Sequence, residues 1–232
     1  MYVLHYAPDN ASLIIRMALE ELALPYRTIL VDRAARQQDS PAYRALNPAG
    51  LIPVLETPQG PLAETGAILL WLSETHGALG PRADDPARGA FLRQLFFVSN
   101  TLHADLRMVF YPEAYVGADC AMQAGLHETV TARLQRHYAL LETQIESGVA
   151  WFGRDAPTIL DLYIAATLRW AQIYGRVDCA WLSFDTYPCL RDMALRLEAR
   201  SSVAVARLAE GLGTTPFTDP VACQPPEGSA LG

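Results

Sequence analysis

Near the N-terminus the apolar positions follow two alternating rhythms. Tyr2-Val3-Leu4-His5-Tyr6 is a short β-like run, followed by the turn-prone Ala7-Pro8-Asp9-Asn10. From Ser12 onward, Leu13, Ile14, Met17, Ala18 and Leu22 repeat with the spacing of a one-sided helix. Tyr26 to Val31 reads as a second strand, which predicts a strand–helix–strand unit. Pro41 to Leu46 reads as a short helix stopped at Asn47-Pro48. Pro53-Val54-Leu55-Glu56 and Pro61-Leu62-Ala63 flank the Pro58-Gln59-Gly60 turn and predict a hairpin. A helix is expected from about Thr65 to His76.

The rhythm then changes. Residues 78–86 are rich in Gly, Pro and Asp, the composition of a linker. Beyond them the pattern is helical to about residue 212, with Val130, Leu134, Tyr138, Leu141 and Ile145 on one stripe and His137 beside it. Thr158, after Pro157, is placed to cap a helix, with Asp161 in its electropositive first turn. Pro216, Pro220, Pro225 and Pro226 fall in a stretch without periodicity. The expected organisation is an α/β domain over 1–77, a linker over 78–86, an all-helical domain over 87–212 and a loose, irregular tail over 213–232.

Composition removes several chemistries. The 18 basic residues among 232 are all arginine, against 25 Asp and Glu, giving a net charge of −7. Without lysine there is no Schiff-base catalysis, no P-loop and no protein-kinase site. An acidic chain without a basic run is expected to bind neither nucleic acid nor anionic membrane. No secretion-signal pattern opens the sequence and no apolar run reaches about 18 residues, so a cytoplasmic protein is expected. Cys120, Cys179, Cys189 and Cys223 form no CxxC pair, and the five histidines form no HExxH box. Neither disulfide nor metal site is expected.

The segment richest in chemistry is Asn47-Pro48-Ala49-Gly50-Leu51-Ile52-Pro53-Val54-Leu55, followed by Glu64-Thr65. Pro53 stands where a strand begins and cannot donate to its ladder. A trans Pro53 would simply open the strand, whereas a cis bond would turn the Ile52 main chain outward to pair with a ligand. With Thr158-Ile159-Leu160-Asp161, these residues resemble the glutathione S-transferase family over residues 1 to about 212, and Tyr6-Ala7-Pro8-Asp9-Asn10-Ala11-Ser12-Leu13 most resembles its bacterial beta class. The resemblance implies a thioredoxin-like N-terminal domain, a helical-bundle C-terminal domain and a homodimer. It also implies glutathione as co-substrate, with no metal.

The family's contacts transfer residue by residue. Ile52-Pro53 resembles the step that pairs with the cysteinyl part of glutathione. Glu64 would take the γ-glutamyl ammonium and Thr65 the α-carboxylate, where a helix start favours an anion; the alternative, that Thr65 merely caps the helix, coexists with this role. Arg36 falls where the beta class has a lysine for the glycyl carboxylate, and is otherwise a solvated arginine. His103 resembles a histidine that reaches glutathione from the helical domain, although the companion asparagine is Phe96 here; a core or interface role is the alternative. The beta-class cysteine is replaced by Ala11, which removes mixed-disulfide chemistry at that position. The candidate thiolate donors are then Tyr6, Asn10 and Ser12, unless Ser12 only caps its helix and Asn10 only shapes a turn. Tyr6 belongs to the strand and is more often core than donor in this subgroup. Phe110, Tyr111, Tyr115 and Trp170 could line a pocket for a hydrophobic electrophile or belong to the core. The reaction implied is attack of the glutathione thiolate on that electrophile, as a detoxifying transferase. The alternatives are a glutathione-dependent isomerase, dehalogenase or etherase, or a non-catalytic binding protein of the same fold.

Overall fold

The computed structural model describes residues 1–174 and 181–230; Cys179 lies outside them. Four strands form one sheet in the order β2-β1-β3-β4, with β1 Tyr2–Tyr6, β2 Tyr26–Leu30, β3 Val54–Thr57 and β4 Gly60–Ala63. β1 runs parallel to β2, pairing Leu4 with Thr28, and antiparallel to β3, pairing Leu4 with Leu55. The parallel pair requires a crossover, which helix α1 (Ser12–Glu21) supplies. Val31 N–H donates to the Tyr6 carbonyl at 2.8 Å, carrying the ladder one step past β2. Helix α2 (Pro41–Leu46) starts on a Ser40 cap and a first-turn proline, and α3 (Thr65–His76) follows β4. This is a thioredoxin-like layer.

The remainder is helical: α4 Arg88–Phe97, α5 His103–Phe110, α6 Glu113–Val116, α7 Cys120–Glu146, α8 Ile159–Ile173, α9 Pro188–Glu198 and α10 Ser201–Glu210. α1 is buried from Ser12 to Leu19 because it is sandwiched between the sheet and α3, α8 and α10. α8 is buried from Ile159 to Ala171, so its apolar run marks a central helix rather than a one-sided one. Thr158 and Asp161 close a capping box, with Thr158 N–H donating to Asp161 at 2.7 Å and Leu160 N–H to the Thr158 hydroxyl at 3.2 Å. Asp161 also accepts Gly153 N–H at 2.7 Å. One π-helical turn, Val98–Leu102, joins α4 to α5 immediately before His103. Such turns insert one extra residue and rotate the side chains that follow.

The tail differs from the loose segment expected. It carries neither helix nor strand from 213 to 230, yet Phe217 is completely buried. Gln224 N–H donates to the Gly211 carbonyl at 2.8 Å, and the Tyr6 hydroxyl donates to Glu227. Lack of periodicity predicts lack of regular structure, not lack of packing. No helix among the described residues is long and apolar enough to cross a membrane.

Candidate active site

A cavity of about 1180 Å³ opens between the sheet layer and helices α4, α5 and α8. One wall is built from Ile52, Pro53, Glu64, Thr65 and Gly66. The Ile52–Pro53 peptide is cis. Its approach is fixed by Asn47, whose side-chain amide donates to the Leu51 carbonyl at 2.8 Å and accepts Ala49 N–H at 3.1 Å. Gly50 has a φ of +66°, and a Cβ there would stand 3.1 Å from the Gln38 carbonyl. The Asn-Pro-x-Gly pattern is thus a loop that delivers the proline. Glu64, exposed, has a φ of +68° and immediately precedes α3. A non-glycine residue held there is costly and marks a site where neighbours dictate the backbone. Thr65, Gly66 and Ala67, the first turn of α3, line the cavity at the positive end of the helix.

The second wall is the loop between β1 and α1. Asp9, Asn10 and Ala11 line the cavity, but Ser12 does not. Ser12 is completely buried; its hydroxyl donates to the Ala7 carbonyl at 3.0 Å and accepts Ala7 N–H at 3.3 Å. Ser12 is therefore neither the cap, since α1 begins at Ser12 itself, nor a group turned toward the cavity. Asn10 Oδ1 accepts Ala11 N–H at 2.8 Å, which orients the amide and leaves its NH₂ at the opposite end.

Asp9, read from sequence only as a turn residue, organises this loop. Its carboxylate accepts Arg169 Nε and Nη2, both at 2.8 Å, Trp170 Nε1 at 3.0 Å and the Tyr174 hydroxyl. Its own N–H donates to Glu210 at 2.8 Å, and Glu210 accepts Arg16 Nε at 2.8 Å. Arg169 places its remaining donors on the carbonyls of Leu212, Pro216 and Val221. Arg169 and Glu210 have no exposed surface. Burial pushes the Glu210 carboxyl up to about 7 despite Arg16 beside it, and burial together with Asp9 raises the Tyr174 phenol. One cue was present in the sequence: Arg169 interrupts an apolar helical run, and an arginine in such a run needs a buried partner.

The third wall is helical and aromatic. His103, Arg107, Phe110, Tyr111, Tyr115, Tyr163, Trp170 and Tyr174 all line the cavity, so the four aromatic residues expected there are brought together. His103 Nδ1 lies 2.8 Å from the Tyr163 hydroxyl, and its ring is 5.3 Å from that of Trp170. Burial, then the nearby Arg107 charge, lowers its pKa to about 4, so the imidazole is neutral at neutral pH. Arg36 is the clear departure. Its side chain is 79% exposed and paired with Asp39 at 2.7 Å, outside the cavity. Arg36 has a left-handed φ of +53°, and the turn aims it at Asp39, which Arg44 also holds. Arg33 lines the cavity instead.

The family model for the glutathione S-transferase N-terminal domain matches residues 11–75. A glutathione S-transferase of Xanthomonas campestris pv. campestris is 33% identical over 211 residues, spanning 90% of this chain and 98% of that protein. The chain belongs to the glutathione S-transferase family. A maleylpyruvate isomerase of Ralstonia sp. is 30% identical over 182 residues, covering 76% of this chain and 82% of that protein. Among solved structures, a glutathione transferase homologue from Sulfitobacter with bound glutathione superposes with a TM-score of 0.72. It is 24% identical and covers 89% of this chain and 97% of its own, a likeness of fold. As a glutathione S-transferase relative, this chain keeps Pro53, Glu64 and Thr65 together on one wall and carries Ala11 on the other.

Proposed function

We propose that the protein binds glutathione across the first two walls and joins its sulfur to an electrophile held against the third. The observation that carries this reading is the convergence of Ile52-Pro53, Glu64 and the α3 N-terminus on one side of a cavity whose other side holds Asn10. Glu64 takes the ammonium of the γ-glutamyl end, and the Thr65 turn takes its carboxylate. The Ile52 main chain pairs with the cysteinyl residue. Asn10, not Ser12, supplies the hydrogen bond to sulfur, because Ser12 already spends its hydroxyl on Ala7.

An ordinary thiol has a pKa of about 8.5, and lowering it by two units takes roughly 2.7 kcal/mol. A hydrogen bond to the anion contributes about 1.5–3 kcal/mol, and the α1 N-terminus adds about 0.3–1. The thiol proton leaves to solvent. The sulfur lone pair forms the new S–C bond as the leaving group departs with its electrons. Glutathione-dependent isomerisation is the second reading, supported by the maleylpyruvate isomerase relative. A cytoplasmic homodimer belongs to the same proposal, tested by sedimentation.

Calorimetry tests the site: Glu64→Ala is expected to weaken glutathione binding about 10–100-fold, the loss of one charge-assisted contact. Unchanged affinity would overturn the assignment.

A further inference from the structure

Two arginines in the aromatic part of the cavity have no role in the reading above. Arg33, in the turn after β2, and Arg107, on α5, reach the cavity from the sheet side and the helical side. Arg33 Nη2 donates to the Tyr111 hydroxyl at 3.0 Å. The Arg107 guanidinium carbon lies 5.6 Å from the centre of the Tyr111 ring. Two positive charges therefore converge on one tyrosine. Because the hydroxyl oxygen accepts Arg33, its own proton is directed to some other acceptor.

Among the described residues, no carboxylate is paired with either guanidinium. None of the acids on the cavity wall is paired with Arg33 or Arg107 among the described residues. Asp9 is held by Arg169, Glu113 has an interaction of its own, and Glu64, at the start of α3, is paired with neither arginine. Among the described residues Arg33 also donates to the Ala230 carbonyl, a neutral oxygen that cannot cancel the charge. The Arg107 charge is felt as far as His103, whose basicity it helps to depress.

Like charges brought together repel unless an anion lies between them, and the repulsion grows as water is excluded. An apolar electrophile would leave this pair uncompensated. A carboxylate would receive donors from both guanidiniums, which match its planar geometry, and from the Tyr111 hydroxyl. We infer that the acceptor is an electrophile bearing a carboxylate, anchored by Arg33, Arg107 and Tyr111, with its apolar body against Phe110 and Trp170. This rests on the glutathione reading and names its second substrate class. The same chemistry could be supplied by the glycyl carboxylate of glutathione, so the experiment must separate the two sources.

The probes are a chlorodinitrobenzoate and the chlorodinitrobenzene that lacks only its carboxylate. Both react by one substitution: the S–C bond forms, the C–Cl bond breaks, chloride leaves with the bonding pair, and the thiol proton goes to solvent. Each kcat/KM is divided by the uncatalysed rate with glutathione. The wild-type protein is expected to favour the benzoate about tenfold or more, and Arg33→Gln and Arg107→Gln each to bring that ratio toward one. Arg107 is exposed, so its replacement keeps the test clear of folding. Glutathione affinity is measured by calorimetry without acceptor. Equal normalised rates for the two probes in the wild type overturn the inference. Loss of glutathione affinity in both variants, with both acceptors slowed alike, also overturns it and assigns the anion to glutathione. A wild-type protein that binds no glutathione overturns the functional reading itself, whereas one that binds glutathione and turns over both probes without preference overturns only the acceptor class.

Discussion

Arg169 and Arg107 lie on packed neighbours, α8 and α5, in opposite surroundings. Arg169 is wholly buried and gives its donors to Asp9 and three carbonyls. Arg107 is exposed, rests on the Tyr111 ring and is paired with no described acid. The buried cation holds the chain in one arrangement, since removing either partner strands a charge in a dry interior. The open cation meets an aromatic face but no acid among the described residues, which suits it to a molecule that comes and goes. The contrast separates architecture from recognition within one residue type, and in a chain without lysine arginine must do both.

The strongest way to break this contrast is at the buried end. Arg169→Met is expected to destabilise the fold by about 3–5 kcal/mol, read as a lower thermal midpoint, because Asp9 keeps its charge without its partner. Asp9→Asn added to Arg169→Met should recover much of the loss; failure to do so would mean that the carbonyl contacts, not the ion pair, dominate. Next in size is the loop that Asp9 holds. Asn10→Ala is expected to lower kcat about 10–100-fold and to move the thiolate pKa upward in the pH–rate profile. Ser12→Ala should act on stability while leaving that pKa in place.

A smaller effect follows from Glu210. Its folded pKa of about 7 lies above the ordinary 4.5, so the folded protein binds the extra proton between those values. This group therefore supports the fold fully at low pH and loses that contribution as pH rises from about 4.5 to about 7. Relative to the wild type, Glu210→Gln should gain stability across that window, measured by denaturant titration at several pH values. Parallel curves would show that Arg16 keeps Glu210 ionised throughout. The smallest effect belongs to the open arginine: Arg107→Gln should change stability by no more than about 0.5 kcal/mol. A larger loss would make Arg107 structural and erase the contrast.

Much of this fold is legible along the chain because its signals are local. The strands, the hairpin around Pro58-Gln59-Gly60 and the Thr158–Asp161 capping box each depend on residues a few positions apart. The Pro53 and Glu64-Thr65 wall is legible for the same reason, since loop, strand and helix start are consecutive. The Ser12 hydroxyl, the direction of Arg36 and the packing of the tail are not. Ser12 and Asn10 are equally suited to a helix start by type, and only the position of the Ala7 main chain separates them. Arg33 and Arg36 belong to one turn, and a left-handed residue within it sends one to Asp39 and the other to the cavity.

The amino-acid order by itself determined the arrangement of a four-stranded α/β layer before a helical one, the family motif, and arginine as the only fixed side-chain cation. Those properties follow from backbone preference, periodicity and composition, which near neighbours set. Tertiary structure alone decided that Asp9 anchors the loop before α1, through a partner 160 residues away, and that Arg33 and Arg107 share a tyrosine. The physical reason is that a side chain's role depends on what it meets in space. A buried charge must find its counter-charge wherever the fold brings one, and an open charge is defined by the partner the fold withholds.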